Sequence, residues 1–170
     1  MPAPPPEDLR IDAIDRMQRG LCAYVSYLAA CEMNQAFSEY VLYEPILRIL
    51  TAQQYNVRCE VECPGITHAK RGDRRRLDFL ASREGVSLAI EVKWAKDSRV
   101  AVARDIEKLR AVSRTVQRTM PLLIVFGRKS HLELMNLSVK NLRELRKPRY
   151  ADLGRTRYGC RVFTLREPTG

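Results

Sequence analysis

Residues 86–95 read Val-Ser-Leu-Ala-Ile-Glu-Val-Lys-Trp-Ala, an apolar strand pattern carrying an acid and a base two positions apart. Strand geometry puts Glu91 and Lys93 on one face, with Trp94 on the other as a packing residue. An unpaired charge buried in an apolar strand costs several kcal/mol, so the fold must supply partners for both. Asp78, inside Leu77-Asp78-Phe79-Leu80, is the visible candidate. A strand from Arg76 to Ala81, a turn at Ser82–Gly85 and a return from Val86 to Ala95 make a hairpin, and cross-strand pairing then brings Asp78 towards Glu91. Two adjacent carboxylates repel unless a cation lies between them, and oxygen ligands select a hard one, Mg²⁺ or Mn²⁺. Lys93 beside such an ion can orient a water and stabilise negative charge on phosphorus, which is chemistry for phosphodiester hydrolysis. The plainer alternative is a structural ion pair between Lys93 and Asp78 or Glu91.

The triplet gains weight from its surroundings. With 20 acids among 170 residues and seven lysines, about 0.8 acid-x-Lys triplets are expected by chance, and only Glu91-Val92-Lys93 occurs. Upstream, Asp8 is expected to cap a helix to about Gly20, followed by an apolar helical segment over 21–33 and a helix from Ser38 to about Gln53 that Pro45 kinks or delays. At 100° per residue Glu39 falls within the inward stripe of Leu42, Ile46, Ile49 and Leu50, whereas Glu44 lies opposite beside Arg48. A half-buried strand is expected from Val57 to Cys63. After the hairpin come a helix from about Arg99 to Thr119, an apolar strand from Pro121 to Phe126, a helix from about His131 to Lys147 capped by Ser130, and a short strand from Arg161 to Leu165. Arg104, Asp105 and Lys108 either face the site or form i,i+3 and i,i+4 pairs along their own helix, and the pairing is the favoured expectation.

Asp78, twelve intervening residues, then Glu91-Val92-Lys93, with a Glu on a preceding helix, resembles the PD-(D/E)XK nuclease superfamily over about residues 38–126. The resemblance implies an α/β protein with a restriction-endonuclease-like mixed central sheet flanked by helices. It further implies Asp78 and Glu91 as metal ligands with the Val92 carbonyl completing the set, Lys93 as the catalytic lysine, and Glu39 as an additional metal or water ligand, with Glu44 the other candidate. Leu77 stands where the name-giving Pro would be. The expected activity is Mg²⁺-dependent endonucleolytic cleavage of DNA, with RNA as an alternative substrate. The competing expectation is a non-catalytic nucleic-acid-binding or partner-binding module on the same fold.

Charge agrees with a polyanionic partner. The net charge of +10 divides into −4 over residues 1–45 and +14 over residues 46–170. The densest basic run, Lys70, Arg71, Arg74, Arg75 and Arg76, directly precedes the Asp78 strand and is expected to contact phosphates. A Pro-rich tip over residues 1–7 is expected to be disordered, with one domain over 8–170. No membrane-spanning run or secretion signal is evident, so a cytoplasmic location is expected. The apolar N-terminal helices exceed what the core needs and suggest a homodimer. Cys59 and Cys63 are expected as buried thiols on one strand face, and neither His68 nor His131 has metal-ligand spacing.

Overall fold

A computed structural model of the protein describes residues 6–33, 37–67, 75–137, 139, 141–151 and 156–165. The two expected N-terminal helices are one, α1 (Pro6–Ala30). It begins two residues ahead of Asp8, so Pro6 and Glu7 of the expected tip are helical while residues 1–5 lie outside the described residues. Helix α1 also runs straight through Gly20, because its buried face continues from Leu9, Ala13, Ile14 and Met17 to Leu21, Val25 and Leu28. Tertiary packing there outweighs the ~1 kcal/mol that a mid-helix glycine costs. That face packs into the core formed with the protein's own sheet.

A 3₁₀ turn (Glu39–Leu42) leads into α2 (Tyr43–Ala52), with Pro45 in its first turn where the missing N–H is harmless. Three strands follow: β1 (Asn56–Glu62), β2 (Arg76–Arg83) and β3 (Val86–Ala95). The β2–β3 hairpin turns on Glu84 and Gly85, both at positive φ (49° and 76°), as a two-residue primed turn requires. After β3 come α3 (Ala103–Thr115) and β4 (Thr119–Arg128), the latter paired parallel to β3. Helix α3 is shorter at both ends than its periodicity suggested, closing where Val116 turns extended.

The region expected as a helix over 131–147 is instead a short helix α4 (Lys129–Leu134), with Ser130 inside it, and a strand β5 (Leu142–Glu144). Strand β6 (Arg149–Ala151), absent from the sequence expectation, precedes β7 (Tyr158–Leu165). Among the described residues the sheet has seven strands in the order β1-β2-β3-β4-β7-β5, with β6 also on β7. Of these pairs β3 and β4 run parallel and the others antiparallel. The chain is thus a mixed α/β protein with a mixed sheet flanked by helices.

Helices α1 and α2 cover the face bearing Ile90, Val92 and Phe126, and Trp94 packs there against Phe37, Phe126 and Tyr158, as expected. Helix α3 covers the face bearing Leu80, Ala89, Ala95 and Val125, to which strand alternation also assigns Glu91 and Lys93. Cys63 is buried, but Cys59 is exposed on β1, an edge strand that is mostly solvent-facing. No helix among the described residues is long and apolar enough to cross a membrane.

Candidate active site

The β2–β3 ladder pairs Arg83 with Val86 and runs to Phe79 opposite Ile90, where it stops. The next pair in register would be Asp78 and Glu91. Asp78 instead draws its carboxylate onto the β3 backbone, its Oδ2 accepting a 2.7 Å hydrogen bond from the Val92 N–H. Its Oδ1 accepts from the Tyr43 hydroxyl at 2.6 Å. Burial raises the Asp78 carboxyl, and these two hydrogen bonds oppose that rise.

Glu91 is almost fully buried, and burial together with the Asp78 charge pushes its carboxyl up to about 9 despite an ammonium beside it. That ammonium is Lys108 from α3, with Nζ 2.5 Å from Glu91 Oε2, 3.5 Å from Asp105 Oδ1 and 2.9 Å from the Arg76 carbonyl. The other Glu91 oxygen, Oε1, is buried with no hydrogen-bond partner among the described residues. An orphaned carboxylate oxygen in a protein interior calls for an explanation, an absent ion among them.

Lys93 directs its ammonium to Glu39 Oε1 and Asp105 Oδ2, both at 3.3 Å. Burial alone would lower its affinity for a proton, but Asp105 and Glu39 outweigh that and hold it above the usual lysine range. Glu39 is therefore the helix-side acid that reaches the site. Glu44 pairs with Arg48 one turn along α2, away from these groups. The structure thus links Glu39, Lys93, Asp105, Lys108 and Glu91 by ion pairs, while Asp78 is held apart by the Tyr43 hydroxyl and the Val92 N–H and acts on Glu91 through its charge.

Tyr43 escaped the sequence reading, and Asp105 and Lys108 were only half caught: pairing along α3 is favoured for them over facing the site, and the structure shows both, an i,i+3 pair with each residue also reaching across to β3. The signal was present in the helix phase, since Asp105 shares the inward stripe of Val102, Ile106 and Leu109. Arg104, on the outer side, is exposed. Tyr43 left no such mark, because a tyrosine within an apolar stripe reads as core.

The charges do not cancel. Glu39, Asp78, Glu91 and Asp105 set four carboxylates against two ammonium groups, Lys93 and Lys108, leaving an excess of two negative charges when all are ionised. A divalent cation matches that excess, and the donor set, all oxygen, suits Mg²⁺ or Mn²⁺. Among the described residues, however, no three His, Cys, Asp or Glu side chains stand together in metal-binding geometry. The lysines hold the carboxylates in the arrangement seen.

Of the basic run, Arg75 pairs with Glu107 of α3 at 2.6 Å and Arg76 is exposed at the start of β2. Lys70, Arg71 and Arg74 lie outside the described residues. Arg75 also lines a cleft of about 630 Å³ between residues 65–67 and α3, shared with Glu107, Arg110 and Arg114. Compared with family models, with curated proteins and with solved structures, the chain matches none of them.

Proposed function

We propose that the protein is a divalent-metal-dependent endonuclease acting on DNA, built on a restriction-endonuclease-like core of the PD-(D/E)XK kind. The observation that carries this reading is the burial of Glu91 beside the Asp78 charge where the β2–β3 ladder ends, with Lys93 tied to the same cluster through Asp105 and one Glu91 oxygen without a partner among the described residues. The core's order is consistent with it: a 3₁₀ turn bearing the acid and running into a helix, an antiparallel three-strand meander, a crossover helix and a parallel strand.

In this reading Asp78 and Glu91 hold the ion, with Glu39 and the Val92 carbonyl as further oxygen donors. The ion, when bound, lowers the pKa of a water and draws charge from the phosphoryl oxygen. Tyr43 and the Val92 N–H fix the Asp78 carboxylate, so its orientation is set before any ligand arrives. Lys93, tethered between Glu39 and Asp105, positions the attacking water and offsets the charge that grows on phosphorus. Arg75, Arg76 and the α3 arginines supply phosphate contacts outside the reacting centre.

Incubation of the purified protein with supercoiled plasmid and Mg²⁺ or Mn²⁺ tests the assignment. Nicking or linearisation is expected for the wild type, with a loss of about 100-fold or more in Lys93→Ala, Asp78→Ala and Glu91→Ala. Affinity for DNA should survive best in Lys93→Ala, which removes neither expected metal ligand. Equal cleavage by wild type and Lys93→Ala would remove the enzyme. Competition between duplex DNA and RNA of the same sequence decides the substrate.

One observation favours the second reading, a non-catalytic nucleic-acid or partner module. Each carboxylate of the site already has a protein partner, and no three-acid ligand group exists among the described residues. Nucleic-acid binding that is saturable, unaffected by chelator and free of any cleavage would select that reading.

A further inference from the structure

We infer that Lys108 is a built-in counter-cation that holds the place of the divalent ion, and that metal loading requires its ammonium to leave Glu91. The inference rests on the metal-dependent reading of the site and adds a residue that competes with the metal.

The geometry distinguishes the two lysines. Lys93 spans Glu39 and Asp105, whereas Lys108 sits on Glu91 itself, at 2.5 Å from Oε2, and also contacts Asp105. Glu91 is the most deeply buried of the expected carboxylate ligands, and its other oxygen, Oε1, has no donor among the described residues. An ammonium satisfies one carboxylate oxygen and supplies one charge, whereas a divalent ion held through both Glu91 oxygens takes the Oε2 lone pairs together with the unpartnered Oε1 and supplies two. Both cannot take Glu91 Oε2 from the same side.

Lys108 is able to yield. Its ammonium rides on a flexible four-carbon stem and is already hydrogen-bonded to the Arg76 carbonyl at 2.9 Å. That carbonyl belongs to the first residue of β2, next to Arg75. A nucleic-acid phosphate arriving there gives the displaced ammonium a new partner, so substrate and metal should each favour the other's binding. Without substrate, Lys108 keeps the acidic cluster folded and its metal affinity low.

Calorimetric titration of the intact protein with MnCl₂ tests this in four forms: wild type, Lys108→Gln, Lys108→Arg and Lys93→Gln. Removing a monovalent competitor a few ångströms from the ligand should tighten Mn²⁺ binding by about tenfold or more in Lys108→Gln. Lys108→Arg, which keeps the charge, should stay close to wild type. Lys93→Gln, which removes an equal charge from the same network, should tighten binding distinctly less. Equal tightening in Lys93→Gln and Lys108→Gln would reduce the effect to bulk charge and overturn the inference, as would unchanged or weaker binding in Lys108→Gln. If Lys108→Gln does not fold, the wild type decides: in protein carrying ¹⁵N-labelled lysine, Mg²⁺ should shift the Lys108 ammonium resonance and speed its exchange with water. A Lys108 signal unmoved at Mg²⁺ saturation overturns the inference while leaving the metal site standing. Absence of saturable metal binding in every form removes the metal reading and this inference together.

Discussion

Tyr43 has one phenolic proton and two carboxylates within reach, Asp78 Oδ1 at 2.6 Å and Glu60 Oε1 at 2.9 Å. Burial and both acids push its own ionisation far upward, so it acts here as a donor. Glu60 is held at φ 50° in the middle of β1, an unfavourable conformation for a residue with a Cβ, and its carboxylate shares the same hydroxyl. Tyr43→Phe removes only that hydroxyl. The expected cost is about 1–2 kcal/mol of stability, from leaving the Asp78 oxygen unmet in a partly buried site. If Asp78 holds the metal, cleavage should also fall by about tenfold with DNA affinity unchanged, because the carboxylate is no longer pre-oriented. Urea denaturation and plasmid cleavage measured on the same preparation check both effects. That Asp78, Glu91 and Lys93 share one sheet face was legible, because strand alternation and hairpin register fix the side on which each lies. Tyr43, Asp105 and Lys108 come from helices whose rotation relative to the sheet is set only by packing.

Two glycines show how element packing decides what local propensity cannot. At Gly20 an added Cβ would lie 2.7 Å from Ile49 Cδ1, the tip of a side chain on α2 that can shift. At Gly65 it would lie 2.3 Å from Thr115 Oγ1 and 3.0 Å from the Ala111 carbonyl of α3, and φ is +81°. Gly20→Ala should therefore change stability by less than about 1 kcal/mol, with helix propensity gained against the contact. Gly65→Ala should cost about 2 kcal/mol or more, since both the left-handed backbone and the helix backbone resist it. Denaturant midpoints of the two variants, compared side by side, test the contrast. The same logic explains why a helix was expected in the C-terminal region. Residues 142–144 have helix-compatible composition, but β7 offers an edge, and Arg161 on β7 clamps Glu144 through two hydrogen bonds of 2.8 and 2.9 Å while also donating to the Leu132 carbonyl. Arg161→Met, which leaves Glu144 unmatched, should destabilise the protein by about 2–3 kcal/mol in the same assay. Helix α1 likewise hydrogen-bonds to the backbone at β6 and β7 through Gln18 and Cys22, long-range ties that no local sequence window contains.

On the scale of the whole molecule, charge is segregated by layer. The acidic first 45 residues build α1, the 3₁₀ turn and the start of α2, which cover one face of the sheet. The basic remainder includes α3, whose Arg104, Arg110 and Arg114 are exposed above the opposite face, the one that holds Glu91 and Lys93. A nucleic acid drawn by the field would therefore approach from the α3 side, where the reacting groups lie, and be repelled from the α1 side. This asymmetry was readable as arithmetic on the sequence, but its direction was not, because it depends on which helices cover which face. It also separates binding from chemistry. A triple substitution of Arg75, Arg76 and Arg114 to Gln removes cationic partners for phosphate without touching Asp78, Glu91 or Lys93. The slope of log affinity against log salt should then flatten by about two to three, near one unit for each phosphate no longer neutralised. Single-turnover cleavage of DNA held at saturating protein should stay within a few fold of wild type. An unchanged salt slope would place the phosphate track elsewhere on the surface, whereas a collapse of single-turnover rate with intact binding would mean that these arginines act at the reacting phosphate itself.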